Sequence, residues 1–322
     1  MGWVRTVKSI NATVKRMERE SQRRQRELQR QEKAYAKMEA LEQASYEVSV
    51  YENYLELIQS VHKEWGELID WKGILELNEP LEPKQLNIHE KAFKAGFLTK
   101  LLGSVEKERA KAIQKDEDAF LVEYRQWKED FKEWKINRLL AERLLNHDEE
   151  AQVEIIGKLN PFSGISEVDG ILRFSTNPNG IIEVTLDTEG EKIVPSEIKT
   201  LLKSGKLSVK KMPKGKYNEL YQDYICSCAL RIGNELLAII PEEKVLVHIV
   251  DKVFDASTGH TSNKCILSIA ITRDIIANLN MDRIDPSDSL VNFEHNMKFK
   301  KTKGFEEVDK LFAVDTIQFE LK

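Results

Sequence analysis

Between residues 41 and 65 the positions Leu41, Ala44, Val48, Tyr51, Leu55, Ile58, His62 and Trp65 recur every three or four residues, and only His62 is polar. That step predicts one face of an amphipathic helix. A second stripe, Ile113, Phe120, Tyr124, Trp127, Phe131, Trp134, Ala141 and Leu145, keeps the same spacing. Two helices with matching faces should pair. Pro80 and Pro83, which helix interiors exclude, let the chain reverse between them. Residues 41–155 are therefore expected to form an antiparallel helical hairpin, or coiled coil, with an aromatic seam. Residues 1–40 differ, because the heptad Ile10, Val14, Met17 runs into Ser21 and Arg24 before Leu28. They are expected to form a basic helical arm of about 55 Å, which needs a partner surface because propensity alone leaves an isolated helix marginal.

Beyond residue 160 the period changes. Residues 171–174 and 181–186 flank Asn177-Pro178-Asn179-Gly180, a strand, turn and strand. Pro195-Ser196-Glu197 reads as the start of a short helix ending at Ser204-Gly205, followed by a strand over residues 207–211. Tyr221, Tyr224, Ile225, Cys228, Ile232, Leu236 and Ile239 mark an amphipathic helix, placed at 216–240, that should cover a sheet and stop before Pro241. Residues 245–250 and 266–271 are nearly continuous apolar runs, as central strands buried on both faces require. Thr272 can cap a helix through residue 279, Asp285 with Pro286 can start another through residue 295, and residues 316–321 alternate like an edge strand. Six of the eight prolines and ten of the fifteen glycines follow residue 150, which puts the division near Pro161. The expected class is α+β: a basic arm (1–40), a helical hairpin (41–155) and a mixed-sheet α+β domain (160–322) around the helix 216–240.

Composition narrows the function classes. No apolar run approaches the ~18 residues that span a bilayer, and the first thirty residues are basic and polar, so a membrane partner is not expected. Cys226, Cys228 and Cys265 are too few and odd in number for a disulfide framework, which points to a reducing, cytoplasmic location. Nucleotide-binding glycine loops, serine-hydrolase elbows and zinc-protease helices have no matching motif, and no cofactor is expected.

The net charge of -5 hides an asymmetry. Residues 1–37 hold eleven Lys and Arg against four Glu, a balance of +7, whereas residues 38–77 hold two Lys against nine Asp and Glu, a balance of -7. Arg16, Arg19, Arg23, Arg24, Arg26 and Arg30 can neutralise phosphates and release counterions, or lie along the acidic stretch of another copy. Lys203, Lys206, Lys210, Lys211, Lys214 and Lys216, with Tyr217 and Tyr221, form a second basic cluster that Lys298, Lys300, Lys301 and Lys303 can extend. Against these readings, charged residues also solvate helix faces, and lysines protect strand edges from aggregation.

The expected function is that of a non-enzymatic interaction or assembly protein, oligomerising or docking a partner protein through the helical region and binding DNA or RNA through the basic patches. The alternative is a metal-dependent nuclease, with Asp187 and the tripeptide Glu197-Ile198-Lys199 holding Mg or Mn, joined by Asp169. His248 in an apolar run reads as a core histidine, and Cys226 with Cys228 as buried thiols.

Overall fold

The computed structural model describes residues 26–33, 40–64, 66–97, 104–162, 170–176, 181–255, 259–311 and 317–320, with Arg23, Tyr35 and Leu101. Its class is α+β, and no helix among the described residues is long and apolar enough to cross a membrane. Contacts divide the chain into two compact units, Asp70–Leu145 and a larger one built from the chain on either side of it. Pro161 falls within the larger unit.

Helix α1 (Ala40–Gln59) belongs to the larger unit, and a 3-10 turn (Val61–Lys63) follows it. The helix read through residue 65 thus stops six residues early, and His62 leaves the helical stripe for a buried bond with Ser227. The smaller unit holds α2 (Trp71–Glu76), α3 (Ile88–Ala92) and α4 (Val105–Leu145). Asp70 caps α2 by accepting from Gly73 N at 2.9 Å. Asp116 of α4 caps α3 from outside, accepting from His89 N and Glu90 N, each at 2.9 Å. Burial pushes its carboxyl pKa up, but these bonds and His89 outweigh that and hold it low.

The aromatic stripe of α4 exists as read, and its rings form a ladder. Phe120, Tyr124, Trp127, Phe131 and Trp134 succeed one another with centroids 5.3–5.8 Å apart. The antiparallel hairpin expected between residues 41–65 and 113–145 is not confirmed. The ladder meets the extended chain after α2, where Trp134 Nε1 donates to Leu77 O (3.1 Å) and Trp127 Nε1 to Pro80 O (3.0 Å). The apolar face of α1 finds its cover within the larger unit. Apolar burial is non-directional, so matching periodicity marks two faces that need cover without saying which surface supplies it.

In the larger unit α5 (Glu149–Leu159) leads to strands β1 (Gly170–Thr176) and β2 (Ile182–Thr188), the short helix α6 (Gly190–Ile193) and strands β3 (Glu197–Leu201) and β4 (Leu207–Lys211). Helix α7 (Lys214–Ile239), strands β5 (Lys244–Asp255) and β6 (His260–Thr272) and helices α8 (Arg273–Ala277) and α9 (Pro286–Ser289) come next. Strands β7 (Glu294–Lys300), β8 (Gly304–Glu306) and β9 (Ile317–Glu320) complete it. Seven strands form one mixed sheet, β8-β7-β6-β5-β2-β1-β9, in which β2 and β5 are parallel and every other pair antiparallel. β5 is central and β9 lies at the edge, as their patterns predict.

Two local readings are corrected. Pro195-Ser196-Glu197 does not open a helix: Glu197–Leu201 is a strand paired with β4 in a separate two-stranded sheet. The helix from Pro286 ends at Ser289, because Phe293 is buried and residues from Glu294 onward pair with β6.

Helix α7 covers one face of the large sheet, and 18 of its 26 residues are buried. That share makes it the axis of the core rather than a surface helix. Gly233 is required there, since a Cβ would fall 2.3 Å from Ile271 Cδ1. The opposite face is crossed by residues 308–311, which hydrogen-bond to β6 and β2.

Candidate nucleic-acid interface

The lysine-rich segment runs through the β3–β4 hairpin into the first turn of α7. Gly205 takes φ +77° in the hairpin turn, a left-handed conformation that favours glycine. Met212, buried, anchors the exit, and its N donates to Ser196 O at 2.8 Å. Pro213 then sits at the N-cap of α7 without a side-chain cap, and no acidic residue occupies the first turn. Lys214 and Lys216 stand in that turn against the helix dipole, which acidic residues would complement instead.

The fold brings the later lysines to the same place. Asn218 Nδ2 donates to Lys301 O at 2.7 Å. The hydrocarbon stem of Lys301 lies against Gly215, and Gly304, with φ +96°, turns the chain beside Asn218. The turn between β7 and β8 therefore packs on the N-terminal end of α7, setting residues 298–303 beside residues 214–216. Lys301 pairs with Glu219, and Lys300 with Glu306 at 3.8 Å. Lys203, Lys206, Lys210, Lys211, Lys214, Lys216, Lys298 and Lys303 are exposed and pair with no carboxylate among the described residues. Lys210 and Lys211 are neighbours on a strand and so point to opposite faces of the hairpin, Lys211 opposite Glu197.

The tyrosines do not serve this surface as stacking platforms. Tyr221 is buried, donates to Asp251 Oδ2 and meets Phe305 edge-on at 5.6 Å. Burial, followed by the Asp251 charge, pushes its hydroxyl pKa well up. Tyr217 is half-buried and donates to Gly190 O at 3.1 Å. Of the arginines, Arg23, Arg26 and Arg30 are helical and exposed, while Arg16, Arg19 and Arg24 lie outside the described residues.

The residues of the nuclease alternative lie in two sheets. Asp187 is on β2 and forms an ion pair with Arg173. Glu197 and Lys199 are on β3 of the small sheet, where Lys199 pairs with Glu47 at 2.9 Å. Asp169 lies outside the described residues. Among those described, no group of three or more His, Cys, Asp or Glu is placed to hold a metal ion.

A polar row, buried at its centre, crosses the large sheet. On the sheet face away from α7, Arg173, Thr185, His248, Ser268 and Asn296 are register partners across β1, β2, β5, β6 and β7. His248 Nδ1 and Ser268 Oγ are hydrogen-bonded at 2.8 Å, and His248 Nε2 lies 3.6 Å from Glu183 Oε2. Burial drives the His248 pKa down, against the pull of Glu183. The crossing segment is laced to this row: Leu311 N donates to Ser268 Oγ, Lys310 Nζ to Thr185 Oγ1, and Asn296 Nδ2 to Asp309 O. The signal for its centre is one polar residue inside each of the two apolar runs, His248 in 245–250 and Ser268 in 266–271, and the register that aligns the five is a tertiary fact. His260 begins β6, exposed, and takes no part. Cys226 and Cys228 are buried and free, and burial raises the Cys228 thiol to about 12, as inert thiols require.

Comparison of the chain with protein-family models, with curated proteins and with solved structures gives no match.

Proposed function

We propose that the protein is a non-enzymatic interaction protein that binds nucleic acid through the lysine surface around the N-terminal end of α7. One observation carries this reading: two lysine clusters more than 80 residues apart in sequence meet at one helix end, with eight of their cations unpaired among the described residues. Such a concentration of exposed cations repels itself unless a polyanion neutralises it, and phosphate contacts release counterions. With both tyrosines engaged inside the fold, recognition rests on the phosphate backbone and is insensitive to sequence.

The test is fluorescence anisotropy with single-stranded DNA, duplex DNA and RNA across a salt series. Affinity should fall linearly with salt on logarithmic axes. Replacing Lys210, Lys214 and Lys303 by Glu should weaken binding to every sequence alike and lower the salt slope by about 1 per lysine removed. Absence of binding to all three at low salt would overturn the reading, as would a triple variant that binds like the parent.

A further inference from the structure

The aromatic ladder of α4 carries a groove beside it. The groove lies between the helix and the extended residues 78–83, and its lining includes Glu79, Glu123, Gln126, Trp127 and Asp130, with no basic residue among the described ones. The ladder itself shows what such rings accept. Lys128 Nζ stands 4.9 Å from the Tyr124 centroid, and Arg138 Cζ 5.6 Å from that of Trp134. Trp127, between them, has no cation over it among the described residues, and its N–H is already given to Pro80 O. The Trp127 face attracts a cation through its ring quadrupole, and the carboxylates beside it attract the same cation by charge. The groove thus has the chemistry of an arginine or lysine acceptor and repels a nucleic acid.

The chain carries a matching cationic element. Arg23, Arg26 and Arg30 are helical and exposed, and their spacing of three and four residues repeats that of Glu123, Gln126 and Asp130. On α-helices both outer pairs are two turns apart, about 10 Å along the axis. Asp130 accepts from Gln126 Nε2 at 2.8 Å, which leaves it further acceptor capacity. The geometry points to the arginine-bearing helix of a second copy as the occupant of this groove, with Arg23 and Arg30 facing Glu123 and Asp130 and Arg26 set toward Trp127. Every copy carries both elements, so each can give an arm and receive one. No lysine of the nucleic-acid surface takes part, so this inference and the proposed function stand or fall separately.

The test uses the full chain and two charge-reversed variants, Glu123→Arg with Asp130→Arg and Arg23→Glu with Arg30→Glu, checked for folding by thermal melting. Light scattering across a dilution series should show the parent self-associating at low salt and dissociating as salt rises. Each variant alone should associate at least tenfold more weakly. An equimolar mixture of the two should recover association, because the reversed arm of one then meets the reversed groove of the other. A parent that stays monomeric throughout overturns the inference, as does a mixture no better than its components. A reversed arm that loses DNA or RNA binding while associating like the parent would also overturn it, assigning those arginines to nucleic acid.

Discussion

Helices α4 and α7 read alike in sequence and live differently in the fold. Both are long and amphipathic, and both carry aromatic residues three or four apart. In α7, Leu230, Ile232 and Leu236 are fully buried along with Cys226 and Cys228, and even Ser227, Arg231 and Glu235 are enclosed. In α4 the ladder is half-exposed, and its indoles bond to extended chain rather than to packed side chains. Periodicity reports that a face needs cover, and the depth of that cover depends on how many elements converge on it. Around α7 the sheet, α1, α5, α8 and α9 all converge.

The polar residues of α7 show what complete enclosure demands. Ser227, Arg231, Glu235 and Ala238 follow one side of the helix, and His62, Glu64, Gly66 and Ile69 meet it in the same order. His62 N donates to Ser227 Oγ (2.9 Å), Arg231 pairs with Glu64 (3.0 Å), Gly66 N donates to Glu235 Oε2 (3.1 Å) and Ile69 N to Ala238 O (2.9 Å). Burial raises the Glu235 carboxyl to about 7, against the Arg231 charge and the Gly66 bond.

Three experiments would break or sharpen the contrast. The largest effect is expected from Leu230→Ala, which opens a cavity in the enclosed helix and should cost about 2–5 kcal/mol. A urea midpoint unchanged from the parent would show that α7 is not the axis of the core.

Glu235→Gln comes next. Because the folded value is raised from 4.5 to about 7, the folded state holds this proton to higher pH than the unfolded chain does. Its contribution to stability therefore falls as pH rises through that window. The glutamine variant escapes the fall, so its advantage over the parent should grow from pH 4.5 and level off above pH 7. The gain is at most about 3 kcal/mol, less whatever Arg231 loses from a neutral neighbour. Denaturation at pH 5 and pH 8 checks it, and a variant no more stable than the parent at pH 8 would show that Glu235 is not strained by its burial.

Trp134→Phe on α4 should have the smallest effect. It keeps one aromatic ring and removes the indole's five-membered ring with its donor to Leu77 O, and the lost bond is about 0.5–1.5 kcal/mol at a half-exposed site. Hydrogen exchange should localise the loss to residues 70–145. A loss as large as that of Leu230→Ala would mean that the ladder is as tightly held as the core.

Local chemistry can also mislead. Pro195-Ser196-Glu197 has the residue types of a helix start, yet Glu197–Leu201 is a strand, because pairing with β4 and the Lys199–Glu47 bridge outweigh a weak local preference. The candidate interface is half legible: the sequence places both lysine clusters and sets Tyr217 and Tyr221 beside one of them, but it does not say that these rings turn inward. Whether a tyrosine near lysines faces water or the core depends on which side of α7 meets Phe305 and Asp251.

By itself the sequence determined what can be stored in short spacings. These were the α+β class, the apolar strands β5 and β6, the strands β1 and β2, whose turn read at 177–180 lies outside the described residues, the edge strand β9 and the apolar faces of α1, α4 and α7, all set by contacts a few residues apart. Only the tertiary structure decided which cover each face received, that β2 lies parallel to β5, that five polar residues align across the sheet, and that residues 298–303 pack beside residue 215. Those outcomes depend on competition among surfaces distant in the chain, and a pattern read along one dimension holds no record of which surface wins.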